Sequence, residues 1–293
     1  MTLNSPLASP RATLDKLAKW GITTRKALGQ HFLIDDGVVG KIIRLAKLQP
    51  EDLVLEVGPG IGTLTEALLL KGVRVLAIEK DQRLLAVLDD IKLRYPQSFD
   101  FLVADALDVT AYGKKMELEH TKLIANLPYA VAATIVLDYF QHMGTIQSAT
   151  VMVQKEVAAR MAAKPGSKDY GAYSVKLQLI AEPQGSFQVS QTCFLPPPRV
   201  DSSVIRLDRR NDKIEPEEIP GTFRVIEAAF AERRKTIRNS MRSQFALQGY
   251  DLSSIDILFE STGIPSSVRA ESLSPDSFLV LGRALGSIEA LPV

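Results

Sequence analysis

The sequence is poor in the residues from which metal centres and disulfides are built. Cys193 is the only cysteine among 293 residues, which excludes an internal disulfide and a cysteine-rich zinc site. The three histidines are far apart and show no spacing typical of metal ligands: His31, His120 and His142. We therefore expect no bound metal.

Long hydrophobic runs and a large net charge are also lacking. No apolar run approaches the roughly 18 residues that a membrane-spanning helix needs, and the opening MTLNSPLASP contains no hydrophobic signal segment. We expect a cytoplasmic protein without membrane contact, and nothing in the sequence demands an oligomer, so we expect a monomer. Because the net charge is only +1, a nucleic-acid partner would have to be met by a local basic patch.

Short β-rich runs alternate with helical patterns between about residues 36 and 210. Predicted strands are LVLEV, VRVLAIE, FDFLVAD, KLIAN and SATVMVQ, most of them separated by helical stretches such as TLTEALLLKG and VAATIVLDYFQHM. This alternation predicts an α/β fold in which a mostly parallel sheet carries helices on both faces. Two further strand candidates, GSFQVS and SSVIRLD, have no clear helix between them and predict an antiparallel pair at one edge.

The composition divides the chain into three parts. Residues 1–20 lack a strong pattern, and we expect them to be flexible. Residues 21–210 form the α/β domain, which ends at the charged and proline-rich DRRNDKIEPEEIPG, typical of a linker. Residues 211–293 show only helical patterns and predict a small all-helical domain.

A glycine-rich loop follows the first strand of the sheet. In LEVGPGIGTL, Gly58, Gly60 and Gly62 are spaced G-x-G-x-G, which lets the backbone turn tightly and approach a ligand. The dinucleotide fingerprint G-x-G-x-x-G would need glycine where Thr63 stands. The loop therefore favours S-adenosyl-L-methionine over NAD, although a tight turn without a ligand has the same signature.

Two carboxylates end the next two strands. Glu79 lies 21 positions after Gly58, where an acidic side chain can accept both ribose hydroxyls of a nucleoside cofactor. Asp105 ends the third strand and can accept from an adenine amino group, or it can cap a helix. Because the carboxyl ends of parallel strands meet at one edge, we expect both to line the same pocket.

The fourth strand ends in IANLPY, an amide and a proline followed by an aromatic ring. The side-chain oxygen of Asn126 and the backbone carbonyl of Leu127 can together accept both hydrogens of an exocyclic amine, while Pro128 fixes the backbone. Tyr129 offers a ring face on which an extruded base can stack. This predicts in-line methyl transfer to a positioned amine, although a strand-ending turn could also use Asn and Pro.

These motifs together resemble the ribosomal RNA adenine dimethyltransferase family. KALGQHFLID, LEVGPGIGTLTEAL, VLAIEKD, VADALD, IANLPY, QKEVAARM, FLPPPRVDSSVIRL and FAERRKTIRNSM occur in the family's order from about residue 26 to 275. The resemblance implies a Rossmann-like class I methyltransferase domain followed by a small helical domain. It also implies dimethylation of N6 of two adjacent adenines near the 3′ end of small-subunit (16S) ribosomal RNA, with a role in small-subunit biogenesis.

The resemblance also assigns site residues. Its cofactor contacts fall on His31, where the family often has Asn, and further on Leu33, Gly58, Glu79, Asp105 and Asn126. Phe194 matches the aromatic that covers the target base, although a core position beside the prolines is an equal alternative. The implied partner is small-subunit ribosomal RNA within an assembling 30S-type particle.

A basic run near residue 235 is the candidate RNA-binding surface. It contains Arg233, Arg234, Lys235, Arg238 and Arg242. On a helix, Arg234, Arg238 and Arg242 would share one face and could contact phosphates, although a solvated helix face has the same spacing. Arg25 and Lys26 could extend the positive rim.

Three other functions fit parts of the sequence. The chain could methylate another nucleic acid, such as large-subunit RNA or DNA adenine, since related enzymes end a strand in a similar way. It could be a non-catalytic ribosome-assembly or transcription factor, but the glycine loop, Glu79 and Asn126 are all present. A dehydrogenase is disfavoured by Thr63 and by the lack of a hydride-transfer acid near NLPY.

Overall fold

The chain divides into two compact units in the computed structural model. The described residues are 4–23, 30–109, 122–210, 214–247 and 252–289. Unit 1 comprises Met1–Ala158 and Pro183–Arg209, and unit 2 comprises Ala159–Glu182 and Arg210–Val293. The sequence placed residues 159–182 in the methyltransferase domain, whereas the fold groups them with the C-terminal helices.

Nine strands are present in the described residues. They are β1 (Phe32–Leu33), β2 (Leu53–Val57), β3 (Arg74–Glu79), β4 (Phe99–Val103), β5 (Lys122–Asn126), β6 (Ser148–Gln154), β7 (Ala181–Val189), β8 (Phe194–Leu195) and β9 (Ser202–Arg209). Seven of them form one sheet in the order β4-β3-β2-β5-β6-β9-β7. Strands β2 to β6 pair in parallel, β9 lies antiparallel to β6, and the two-stranded pair β1–β8 is separate.

Eleven α-helices are present in the described residues. They are α1 (Pro10–Lys19), α2 (Asp36–Ala46), α3 (Thr63–Leu69), α4 (Leu85–Arg94), α5 (Ala132–His142), α6 (Lys155–Met161), α7 (Ala172–Ile180), α8 (Ile219–Phe230), α9 (Ile237–Leu247), α10 (Leu252–Thr262) and α11 (Pro275–Glu289). The α/β fold with a helical C-terminal part is thus confirmed. None of the described helices is long and apolar enough to cross a membrane.

The strand order reverses direction between β2 and β5. From β2 the chain proceeds through β3 to β4 on one side, and then through β5 to β6 on the other. Because parallel crossovers are right-handed, the helices of the two halves lie on opposite faces of the sheet. Such a reversal opens a crevice at the carboxyl ends of the central strands, where open α/β sheets bind ligands. The central strands are nearly continuous apolar runs, as expected for a sheet covered on both faces.

The N-terminal segment is packed rather than flexible. Helix α1 begins after Ser9, whose side chain accepts a hydrogen bond from the N–H of Ala12, and Pro10 occupies its first position. Leu7 and Leu17 are buried. The expectation of a flexible segment over residues 1–20 is therefore wrong for the described part, because Ser9 and Pro10 start a helix that packs through the buried Leu17.

The helices of unit 2 pack around an aromatic core of their own. The rings of Phe230 and Phe278 lie 5.6 Å apart, and Tyr170 contacts Phe230 edge-on. The hydroxyl of Tyr170 donates to the carbonyl of Leu273 at 2.8 Å. This bond ties the segment before α7 to the segment before α11, both of which lie in unit 2.

Candidate active site in unit 1

A cavity of about 660 Å³ lies at the carboxyl ends of the central strands. It is lined by every residue that the sequence analysis assigned to the cofactor or the target amine except Phe194: His31, Leu33, Gly58, Gly60, Glu79, Asp105, Asn126, Leu127, Pro128 and Tyr129. The volume suits a nucleoside-sized ligand. The strand-end residues and the two that the resemblance added, His31 and Leu33, thus lie in one place.

The glycine loop between β2 and α3 needs glycine for two different reasons. Gly58, Gly60 and Gly62 all have positive φ, at 69°, 60° and 90°. A Cβ on Gly58 would have Pro128 Cδ as its nearest neighbour at 4.0 Å, so that face is open to the cavity. A Cβ on Gly62 would lie 2.4 Å from Cδ1 of the buried Ile91, so that side chain on α4 would have to shift.

Glu79 closes β3 and is held by three backbone amides. The N–H groups of Lys80 and Asp81 donate to Oε1 at 2.9 and 2.8 Å, and that of Gly60 to Oε2 at 3.4 Å. Burial raises the pKa of Glu79, and the three N–H groups oppose that rise. The carboxylate is therefore fixed relative to the glycine loop, which is what a ribose-binding acid requires.

Asp105 is paired with a lysine at the cavity rim. Lys80 Nζ forms an ion pair with Asp105 Oδ2, and the N–H of Leu107 donates to Oδ1 at 3.1 Å. The hydrogen bond from Lys80 lowers the pKa of Asp105. Asp105 thus caps the local turn and also lines the cavity, while its contact with an adenine amino group stays a prediction.

Glu56 is a cavity residue that the sequence analysis did not single out. It lies in β2, is 1% exposed, and accepts a hydrogen bond from Thr65 Oγ1 at 2.7 Å. Burial raises its pKa to about 8, and the nearby Glu79 adds to the rise. The sequence shows that Glu56 lies two residues before Gly58, but it does not show that the side chain is buried.

Asn126 is oriented by a backbone carbonyl. Its Nδ2 donates to the carbonyl oxygen of His31 at 3.1 Å. Since only the NH₂ group can donate to a carbonyl, Oδ1 is left as the acceptor of this cavity-lining amide. His31 thus contributes its backbone carbonyl to the site, which could not be predicted from the type of its side chain.

Tyr129 is fixed by two partners. Its ring stacks on that of His31, with centroids 5.8 Å apart and planes inclined by 24°, and its hydroxyl hydrogen-bonds Ser202 Oγ. The Nδ1 of His31 in turn donates to the carbonyl of Pro196 at 2.8 Å. Burial raises the pKa of Tyr129, so the phenol stays neutral and its ring is held at the cavity wall.

Phe194 is placed in the core and not in the cavity. It pairs with Leu33 in the β1–β8 ladder, is 2% exposed, and packs in the main hydrophobic cluster of unit 1. The structure therefore does not support the base-covering role that the resemblance assigned to it. The alternative of a core phenylalanine beside the prolines fits, because the short ladder turns the ring inward.

The basic cluster of unit 2 is not a single helical stripe. Helix α9 begins at Ile237, so Arg233, Arg234 and Lys235 lie in the preceding turn, and the expected common face with Arg234 is wrong. The cause is a break in the helical pattern between α8 and α9.

Most of these cations have acidic partners. Arg238 and Arg242 both contact Asp256 at 2.7 Å, Lys235 contacts Glu232 at 2.6 Å, and Arg233 lies 3.8 Å from Glu271. Arg234 is exposed and forms no ion pair within the described part of unit 2. The predicted contributions of Arg25 and Lys26 lie outside the described residues.

Comparison with known proteins settles the family. The model of the ribosomal RNA adenine dimethylase family matches residues 21–281. The chain belongs to the ribosomal RNA adenine dimethylase family. It is 40% identical to a protein named ribosomal RNA small subunit methyltransferase A from Shouchella clausii, covering 98% of both chains. It is 38% identical to a protein of the same name from a Geobacillus species, covering 97% of this chain and 99% of the relative.

Solved structures share the fold of this family member. A dimethyladenosine transferase from Plasmodium falciparum superposes with a TM-score of 0.71 at 23% identity, covering 86% of this chain and 96% of that one. The 23S rRNA methyltransferase ErmE gives a TM-score of 0.63 at 24% identity, covering 87% and 99%. Family membership implies a methyl donor of the S-adenosylmethionine type. In the described residues, no group of three or more His, Cys, Asp or Glu could hold a metal.

Proposed function

We propose that this protein dimethylates N6 of two adjacent adenines near the 3′ end of 16S ribosomal RNA, with S-adenosyl-L-methionine as methyl donor. One observation carries the proposal. Asn126 is fixed by the His31 carbonyl with its amide oxygen left as an acceptor, beside the Leu127–Tyr129 wall of a nucleoside-sized cavity. The names of relatives at 38–40% identity support the small-subunit substrate.

The cavity suits the proposed cofactor. The open face of Gly58 leaves room beside the loop, and Glu79 presents a fixed carboxylate for ribose hydroxyls. Thr63 lines the cavity, and its buried hydroxyl has no hydrogen-bond partner within the described residues. A bound ligand would satisfy such a group. S-adenosyl-L-methionine, when bound, supplies an electrophilic methyl group.

Two backbone groups of the NLPY segment already have hydrogen-bond partners. The carbonyl of Pro128 accepts the N–H of Val131 at 3.1 Å, and the N–H of Leu127 donates to Met152 at 3.0 Å. The Leu127 carbonyl and Asn126 Oδ1 would then accept the two amine hydrogens and direct the nitrogen lone pair. The residues act by positioning, a contribution of up to roughly 7–11 kcal/mol in favourable cases. No strong base is required, since the proton leaves after the nitrogen becomes cationic.

The aromatic wall would hold the base. Tyr129 is braced by His31 and Ser202, so it offers a rigid face for an extruded adenine. A braced ring loses little entropy when a base stacks on it, and such stacking is worth about 1–3 kcal/mol per base.

The partner in this proposal is small-subunit RNA in an assembling 30S-type particle, met by a monomer in the cytoplasm. The turn before α9 and the start of α9 support an RNA contact, because their five cations outnumber the three carboxylates that pair with four of them. Such a modest excess of charge suits a structured particle better than naked RNA, whose binding relies on many phosphate contacts.

A comparison of substrates tests the proposal. Small and large ribosomal subunits lacking adenine dimethylation are incubated with the protein and labelled S-adenosyl-L-methionine. Incorporation into small subunits alone is expected. Incorporation into large subunits alone would assign the protein to the other substrate, and cofactor binding without any incorporation would favour an assembly factor.

A further inference from the structure

The N-terminal residues 4–22, which we name the N-terminal strap, have no part in the site described above. They contain α1 and cross unit 1 beside α3, the helix that follows the glycine loop. Several of their side chains are buried although the segment precedes the sheet: Ser5, Leu7, Ala8, Thr13, Leu17 and Ile22.

The strap is bonded directly to the start of α3. Ser5 is 1% exposed, and its Oγ donates to the backbone carbonyl of Thr63 at 2.7 Å. Thr63 is the first residue of α3 and lines the cavity. A single buried hydroxyl thus joins residue 5 to the end of the glycine loop.

Ser5 is itself held in place by the next helix. The Asp36 carboxylate accepts the N–H of Ser5 at 2.8 Å and the N–H of Asn4 at 3.2 Å. These bonds lower the pKa of Asp36 although burial raises it. The hydroxyl of Thr13 donates to the carbonyl of Leu7 at 3.0 Å and closes the turn before α1. The strap is therefore a preformed support.

The rest of the strap reaches the loop through a hydrophobic cluster. Leu17 and Ile22 pack with Phe32 and Ile61. Phe32 touches the loop so closely that a Cβ on Gly60 would lie 3.2 Å from its ring. Strap, ring and loop thus form one continuous packed path.

Charged side chains add a third attachment. Lys16 on α1 lies 3.4 Å from Asp90 and 3.9 Å from Glu66, and Arg94 contacts the same Glu66 at 2.7 Å. Glu66 is buried on α3. The pairs join α1, α3 and α4, so α3 is supported along its first turn.

We propose that the N-terminal strap preorganises the glycine loop for cofactor binding, with Ser5 as a positioning residue that acts through Thr63. This inference rests on the proposed function, since it concerns the same S-adenosyl-L-methionine site. None of the strap residues lines the cavity beside Asn126, and the strap reaches the site only through α3 and the glycine loop. Its loss should therefore change cofactor binding and leave the other steps intact.

The test compares Ser5→Ala with the exposed control Arg11→Ala on the same segment. Calorimetry with S-adenosyl-L-methionine should show a roughly five- to tenfold higher Kd for Ser5→Ala, the effect of one lost hydrogen bond, and no change for Arg11→Ala. In kinetics, the KM for the cofactor should rise while kcat and the KM for RNA stay within about twofold. A role in stability alone would lower Tm and leave Kd and this KM unchanged, which would overturn the proposal.

A second readout separates this proposal from the proposed function. Hydrogen exchange of the peptide covering residues 58–66 should be faster in Ser5→Ala than in the wild type without any ligand. Unchanged exchange would overturn the mechanical link even if Kd shifted. If the wild type binds no S-adenosyl-L-methionine, the cofactor assignment fails and the strap proposal fails with it, while faster exchange would still place Ser5 as a support of the loop.

Discussion

At the scale of single residues, a buried acid and an oriented amide dominate the site. Glu56 and Glu79 share one cavity, but they are solvated differently: Glu79 accepts three backbone N–H bonds, and Glu56 accepts one hydroxyl. The pKa of Glu56 is accordingly raised to about 8. At neutral pH Glu56 therefore carries a proton in the free protein, and its ionisation is linked to folding.

The pH dependence of stability should report this proton. A folded-state pKa raised from 4.5 to about 8 means that the contribution of Glu56 is fully present below about pH 4.5 and is lost as pH rises through 8. Glu56→Gln keeps an acceptor for Thr65 and removes the titration. We expect the wild type to lose up to a few kcal/mol of unfolding free energy relative to Glu56→Gln between pH 5 and 8.

Urea unfolding at pH 5, 6.5 and 8 measures this difference. Because the two proteins differ only at this position, the comparison reports Glu56 together with its coupling to Glu79. Parallel stability curves for the wild type and Glu56→Gln would show that Glu56 is ionised in the folded protein, and the assignment would be wrong.

At the scale of elements, the glycine loop joins β2 to α3, and one of its glycines packs closely against α4. Gly62 combines a φ of 90° with contact to Ile91, whereas Gly72 has a φ of 76° and nothing within 4 Å of an added Cβ. Alanine substitutions at the two positions therefore distinguish backbone strain, which both share, from steric overlap, which only Gly62 has.

Gly62→Ala should destabilise the protein more than Gly72→Ala. In both variants the positive φ lowers the free energy of unfolding by about 1–3 kcal/mol. Only in Gly62→Ala does overpacking lower it by about another 1–3 kcal/mol. Ile91→Val removes the Cδ1 that the new methyl would meet, so the double variant should cost less than the sum of the single variants. Equal losses for Gly62→Ala and Gly72→Ala in thermal unfolding would contradict the packing argument.

The turn before α9 is the second element with a function to test. Arg234 is exposed and outside the ion pairs of the described residues, whereas Arg238 shares Asp256 with Arg242. A cation already paired with a carboxylate has less to gain from a phosphate.

Arg234→Ala should weaken binding of small-subunit RNA more than Arg238→Ala. It should also reduce the slope of log K against log salt by about one, the value for one lost phosphate contact. Filter binding across a salt series measures both, with Arg11→Ala of unit 1 as the control for lost charge. An unchanged slope for Arg234→Ala would remove this turn from the RNA surface.

At the scale of the whole molecule, the sequence predicted the features that follow from a parallel sheet. Strand ends meet at one edge, so Gly58, Glu79, Asp105 and Asn126 could be placed together from spacing alone. The α/β class and the helical C-terminal part followed from periodicity, and both are confirmed.

Other features depend on contacts between distant parts of the chain. The two-residue ladder of Phe32 with Leu195 is too short for a periodic signal, yet it buries Phe194 and brings His31 to Asn126. The order of the strap depends on such contacts too, since Ser5 is held by Asp36 and Thr63. The break before Ile237 carries no proline or glycine, so the basic run has the sequence pattern of one helix.

The role of the NLPY strand end is tested most directly by mass spectrometry of small-subunit RNA methylated by the wild type and by Asn126→Ala. We expect dimethyladenosine at two neighbouring positions with the wild type. With Asn126→Ala we expect at least a roughly hundredfold lower rate, while calorimetry shows that S-adenosyl-L-methionine still binds. Undiminished dimethylation by Asn126→Ala, or methyl groups on a base other than adenine, would contradict the central role of the NLPY strand end.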